Sequence, residues 1–395
     1  MAEAMNYIDR LVAELCPDGV EYRPLGGLLA YEQPTKYLVS SKDYDESYPT
    51  PVLTAGKTFI LGYTNETEGI YPASEEEPVI IFDDFTTAFK WVEFPFKAKS
   101  SAMKMLTLKS GTNSLFKYVY YAMQCIVYNS SDHARQWISK YSNIEIPVPP
   151  IEIQEAIVEI LDKFTNLEAE LEAELEARTL QYEYYRDSLF EALDCPRVPL
   201  GSLGTFVRGN GLQKKDLQES GNPVIHYGQV FTRYGLHEDK TLSYANDEVY
   251  NKLRKAEKGN LVIATTSEND EDVCKALAWL GETPAGISGD AYIYRHEMNP
   301  KYVSYFFTTH DFQRQKLRHI TGTKVRRVSG KNLETIEIPL PPLEEQQRIV
   351  DILDRFDALT TSLSEGLPAE LAARRSQYEY YRDQLLTFPR KGENQ

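Results

Sequence analysis

Hydrophobic positions in two stretches of the chain repeat at helical spacing. After Pro149-Pro150, apolar residues fall at Ile153, Ile157, Ile160, Phe164, Leu167, Leu171 and Leu175. After Pro341-Pro342 they fall at Ile349, Ile352, Phe356, Leu359, Leu363, Leu367 and Leu371. Steps of three and four mark the seam of a coiled coil. A proline pair ends a strand and opens a helix, because proline fits the first helical turn. Each stripe resumes further on, at Tyr182, Tyr185 and Leu189 and at Tyr378, Tyr381 and Leu385. Core packing inside one domain would give the same stripe. Two equivalent helices of about 40 residues, each about 60 Å long, fit a pair of spacers better. Gly366 and Pro368 interrupt the second helix, and interior proline costs about 3 kcal/mol. A kink or break is expected near Ser364–Pro368.

The remaining blocks alternate short β-rich runs, such as Pro78–Phe82 and Asn260–Ala264, with Gly/Pro/Asn turns. Residues 117–128 and 301–318 read as helices. The predicted fold class is α+β: two mixed α/β domains joined by two long coiled-coil helices that can pair with each other. The expected divisions are an N-terminal helix at 1–19, a first domain at 20–148, a first spacer at 149–196, a second domain at 197–340, and a second spacer with tail at 341–395.

The chain is an internal duplication. QYEYYRDSL at 181–189 returns as QYEYYRDQL at 377–385. Arg23-Pro-Leu-Gly26 pairs with Val198-Pro-Leu-Gly201, Lys117-Tyr-Val-Tyr-Tyr121 with Lys301-Tyr-Val-Ser-Tyr305, and Ile146–Ile151 with Ile338–Leu343. The anchors keep their order, as two collinear domain-sized copies do. In each copy a variable block precedes a nearly constant helix.

Composition adds limits. The 395 residues suffice for two or three domains. No apolar run approaches the ~20 residues of a membrane helix. The N-terminus is acidic and amphipathic, unlike a secretion signal. The four cysteines lie far apart, which fits a reducing cytosol. The net charge of −16 is uneven: residues 151–196 hold 13 acidic and 3 basic side chains. The blocks around that segment are near neutral or basic, so they can face nucleic acid.

Catalytic patterns fail. Thr54–Thr58 resembles the end of a phosphate loop, but Pro51 stands where its first glycine belongs. Gly209-Asn-Gly211 lacks the third glycine of a dinucleotide loop, since Lys214 takes that place. Asn299-Pro-Lys-Tyr302 is similar to the Asn-Pro-Pro-Tyr motif of adenine methyltransferases, without its second proline, and reads as a helix cap. The histidines show no metal-ligand spacing. No catalysis and no metal site are expected of this chain alone.

IPVPPIEIQEAIVEILDKF and IPLPPLEEQQRIVDILDRF, each followed by QYEYYRD and preceded by a variable block opening with PLG, carry a family resemblance. The arrangement resembles the specificity subunit of a type I restriction–modification system. YEQPTKYLV, PVLTAGKTFILGYTNETEGIY and PVIIFDDFTTAFKWVEF resemble its IC branch. The resemblance implies that each variable block reads one half of a split, asymmetric site in double-stranded DNA. It implies helices that pack antiparallel, set the spacing and dock two modification (methyltransferase) subunits, with motor-nuclease subunits joining through them. S-adenosylmethionine, ATP and Mg²⁺ would then belong to those partners, and the complex to the cytoplasm. In this family the LEAE repeats at Leu167, Leu171 and Leu175 resemble an adjustable ruler. A scaffold that joins proteins without reading DNA is the alternative.

The basic run 314–331 offers Arg314, Arg318, Lys324, Arg326, Arg327 and Lys331 as DNA contacts, since Arg and Lys bind phosphate and Arg reads guanine. In the first block Lys57, Lys97, Lys99 and Lys104 are the basic candidates, the last three flanking Ser100-Ser101 in an expected polar loop. Gln33, Thr35 and Lys36, with Arg208, Asn210, Gln213 and Lys214, lie in expected loops suited to base edges. Tyr182, Tyr184, Tyr185 and Arg186, with Tyr378, Tyr380, Tyr381 and Arg382, cover more than one helix face. The seam accounts for some of these tyrosines, and the rest suit a protein interface.

Overall fold

The computed structural model describes residues 2–56, 58–128, 134–361 and 366–392, without the side chains of 2–4. Lys57, Leu363 and Ser364 lie outside the described residues. By its contacts the chain divides into two units. One comprises 1–170 and 372–395, the other 171–371.

In the first unit, strands Leu29–Glu32, Met103–Leu108, Val79–Asp83 and Phe89–Val92 lie in that order in an antiparallel sheet. The run at 79–82 is apolar throughout because both faces of the strand are covered. Ile80 and Phe82 join a core with helix Phe116–Gln124, while Val79 and Ile81 pack in a second core with Met103 and Met105. The second unit repeats this plan. Its sheet runs Gly204–Arg208, Ala291–His296, Leu261–Ala264, Lys275–Trp279 and His237–Glu238. Leu261 and Ile263 face one core, Val262 and Ala264 the other. The two units differ in their additions, a three-stranded sheet against a four-stranded one.

The expected helix over 117–128 spans Phe116–Gln124. The one over 301–318 is two helices, Pro300–Phe306 and His310–Leu317. Thr309 caps the second by accepting from Phe312 N. Asn299 is a cap, accepting from the N–H groups of Lys301 and Tyr302.

The first long helix runs unbroken from Ile151 to Glu191, 41 residues or about 60 Å. Ile153, Ile157 and Leu161 anchor one end and Tyr182 and Phe190 the other, with no buried residue from 162 to 181. The second is Leu343–Thr360 followed by Gly366–Leu385. Gly366 has φ +78°, and a Cβ there would meet Ala358 O at 2.5 Å. Residues 362–365 between the two segments lie outside the described residues, and Pro368 sits harmlessly in the first turn of the second segment. In the first unit Phe164 packs on Tyr378 and Tyr381, and Arg375 pairs with Glu168 at 2.6 Å, an antiparallel contact. In the second, Tyr182 and Tyr185 pack on Phe356.

Candidate DNA and partner surfaces

Loops that the sequence scatters meet at one end of each sheet. In the first unit, register places the ends Glu32, Asp83 and Met103 together. Gln33 and the short 3₁₀ helix Pro34–Tyr37, which carries Thr35 and Lys36, start there; these three side chains are exposed, and Lys36 pairs with Glu32 at 2.7 Å. The Asp83–Ala88 turn and the Lys99–Ala102 loop lie beside it. Asp84 joins them. Its N–H donates to Ala102 O at 3.0 Å, and its carbonyl accepts from Gln136 N at 2.8 Å. Its carboxylate accepts from Trp137 N at 2.8 Å and pairs with Lys104 at 2.8 Å.

That geometry corrects the expected polar loop over 97–104. Lys97–Ala98 and Met103–Leu108 are strands. Lys104 and Asp84 are both fully buried. Lys97 is buried too. It pairs with Glu66 at 2.7 Å and donates to Glu68 O at 2.7 Å. The Lys97 ammonium, with the backbone N–H groups of Ser40 and Ser41, holds the Glu66 carboxyl below its usual range. Neither ammonium is presented outward. A buried lysine must find a carboxylate, and both partners are distant in sequence. Lys99 is half-buried and donates to Tyr44 Oη at 2.7 Å.

In the second unit the corresponding end joins Arg208, Ala264 and Ala291. It brings together the Arg208–Lys214 segment and the 321–327 hairpin. Arg208 donates to Gly289 O at 2.7 Å. Asp290 O accepts from Thr265 N, and Thr265 O from Val328 N. In the hairpin, Thr321 and Arg327 exchange two backbone bonds of 2.9 Å. Gly322 has φ +91°, and a Cβ there would strike Val325 O at 2.1 Å. Lys324 and Arg327 are exposed on this hairpin.

Several other candidates bond within the unit. The Asn210 amide donates to Lys252 O at 2.9 Å and accepts from Arg254 N at 2.7 Å. Through these bonds Asn210 ties its loop to the 252–254 segment. Gln213 caps the short helix Lys214–Asp216, and Lys214 is exposed. The basic run is also divided. Arg314 pairs with Asp311, Arg326 with Asp270, each at 2.8 Å. Lys316 is buried and donates to Glu271 O at 2.9 Å. Arg318 and Lys331 are exposed.

Arg135 was not singled out in the sequence. It lies 192 positions before Arg327, the same offset that relates the Ile146 and Ile338 anchors. Gln136 N bonds Asp84 O much as Val328 N bonds Thr265 O. Arg135 is exposed. Carrying the repeat offset back from Ile146 would have found it.

The repeated nonapeptide builds the same cluster twice. Arg186 and Arg382 each lie 5.7 Å over the ring of the tyrosine four residues before, Tyr182 and Tyr378. Tyr184–Tyr185 and Tyr380–Tyr381 are both edge-to-face pairs, at 5.6 and 5.3 Å. Tyr184 and Tyr380 are 69% and 61% exposed. Tyr182 and Arg186 are buried, and burial pushes the phenols of Tyr182 and Tyr378 above their usual range. Those two tyrosines belong to the seam, as do Tyr185 on Phe356 and half-buried Tyr381 on Phe164, so the outward surface rests on Tyr184 and Tyr380. The supports also match. Tyr118 and Tyr302 donate to Pro147 O and Pro339 O, and Gln154 and Gln346 donate to Pro149 O and Pro341 O.

The model of the type I restriction modification DNA specificity domain matches the chain twice, at residues 17–177 and 196–373. The chain belongs to that family. This specificity subunit is 44% identical over 404 residues to the type I restriction enzyme EcoR124I/EcoR124II specificity subunit of Escherichia coli, covering 98% of each chain. Its fold is similar to the crystal structure of the type I S subunit from M. genitalium, with TM-score 0.53 and 14% identity over 93% of this chain and 96% of that one. A chain from a structural study of type I complex assembly and conformational transition gives 0.56 and 15%, over 93% and 97%. The subunit is the DNA specificity component of a type I system and a non-catalytic part of its complex. Among the described residues no helix is long and apolar enough to cross a membrane, and no group of side chains could hold a metal ion.

Exposed Arg327 and Lys324 give a direct test on the assembled complex. Each alanine substitution is expected to weaken binding across all DNA sequences. Each should also lower the slope of log affinity against log salt by about 0.9, one phosphate contact. An unchanged slope removes that side chain from the DNA surface.

Proposed function

We propose that the recognition domains, at 20–148 and 197–340, each read one half of a bipartite, asymmetric DNA site. The helices at 149–196 and 341–395 set the separation of the halves. Their repeated nonapeptides dock two adenine methyltransferase subunits, and restriction subunits join through these. S-adenosylmethionine, ATP and Mg²⁺ are held by the partners, and the complex works in the cytoplasm. One observation carries the reading. Both copies expose the first tyrosine of the same edge-to-face pair, Tyr184 and Tyr380, while the variable blocks before them differ in sequence. One chain thus offers a like partner the same surface twice and DNA two unlike surfaces.

The test is the mass of the complex with purified methyltransferase, by light scattering. Wild type should bind two copies. Tyr184→Ala or Tyr380→Ala should leave one tight site, and the double variant should lose both, each with at least about a thirtyfold drop. Two copies bound to the double variant would refute the docking site.

A further inference from the structure

The Asp83–Ala88 turn stands at the end of the first unit where the candidate DNA-contact loops gather, and it carries no basic residue. Its tip is Phe85-Thr86-Thr87. Phe85 is 41% exposed, an aromatic side chain left in water where four loops meet. Thr87 has φ +60°, a conformation costly for a β-branched residue. Strain of that kind persists only where the surroundings enforce it, and it gathers at functional sites.

The surroundings do enforce it. Asp83 Oδ1 accepts from Phe85 N at 3.0 Å and from Thr86 N at 2.8 Å. Asp83 N donates to Ala88 O at 2.8 Å and Asp83 O accepts from Thr87 N at 2.9 Å. Beneath the tip, buried Asp84 ties the turn to Ala102, Gln136 and Trp137, which sets Arg135 beside it. Exposed Phe85 therefore stands on a turn whose backbone is held by hydrogen bonds, and exposed Arg135 directly precedes the Gln136–Trp137 segment bonded to that turn. In the second unit the matching connection runs from Thr265 to Cys274. It is longer, has no aromatic residue, and carries Glu268, Asp270, Glu271 and Asp272.

We infer that Phe85 is a base-contacting, specificity-determining residue for the half-site read by the first domain, and that Arg135 grips the adjacent phosphate. This rests on the DNA-reading function proposed above. An apolar side chain meets thymine methyls or an opened base step, and arginine meets phosphate in register. The second domain has no counterpart to the aromatic contact, so the effect must be confined to one half of the site.

The experiment maps adenine methylation by the assembled complex carrying Phe85→Ala, Phe85→Trp or Arg135→Ala. Phe85→Ala should relax one or more positions of one half-site and weaken binding about tenfold. The other half and the gap should stay as in wild type. Phe85→Trp should restore most of the affinity. Arg135→Ala should leave the motif intact and lower the salt slope by about 0.9. A wild-type motif with wild-type affinity for Phe85→Ala overturns the inference, as does relaxation of both halves equally. If the wild-type complex itself gives no motif, the DNA-reading function fails instead.

Discussion

Replacing Asp84 with alanine should destabilise the first unit by about 3–5 kcal/mol, the cost of stranding one member of a buried ion pair. Lys104 is fully buried, with Asp84 at 2.8 Å and the Tyr31 ring 5.5 Å away. Without the carboxylate its ammonium has no counter-ion, and Trp137 N loses its acceptor. The melting transition of that unit should fall on the order of 10 °C by calorimetry. Asp84→Ala combined with Lys104→Met should recover much of the loss, because an apolar residue of similar length suits the same space. The two positions touch, so the effects should be strongly non-additive. A loss below about 1 kcal/mol for Asp84→Ala would contradict the buried pair. Asp84 also positions the Phe85 turn and the Arg135 segment. The single variant should therefore blur the first half-site even below its melting point.

Inserting one further Leu-Glu-Ala-Glu unit after Glu170 should lengthen the gap between half-sites by one or two base pairs. Four residues add about 6 Å of helix against about 3.4 Å per base pair. They also add about 40° beyond a whole turn, close to the rotation of one base pair. The insertion falls in a helix segment with no buried residue, so it should be tolerated. The measurement is the gap in the methylated motif of the variant complex. An unchanged gap would show that the helix does not set the spacing.

The constant parts were legible because the chain writes them twice. Lys117, Tyr121 and Asp162 in one copy and Lys301, Tyr305 and Asp354 in the other form the same buried-edge cluster, and the anchors had already paired them. The seam and its interruption were also legible, since Phe164, Phe356 and Gly366 obey simple rules of period and φ. The recognition surface was less so. Lys97 and Lys104 read as surface lysines until Glu66 and Asp84 come against them through tertiary pairing. Asn210 read as a free loop amide because Lys252 and Arg254 lie about forty residues away in sequence. Phe85 carries no sequence signal apart from the turn that lifts it out. Local pattern reports period and turn chemistry, while the fate of a charged group depends on partners that only the fold supplies.

Adenine methylation mapped across the genome of a host carrying the methyltransferase gene, with and without this chain, tests the central claim most directly. A split motif with one methylated adenine on each strand, present only with this chain, is the predicted result, and it would define both half-sites and the gap. No chain-dependent motif, with the methyltransferase shown to be expressed, would contradict the account.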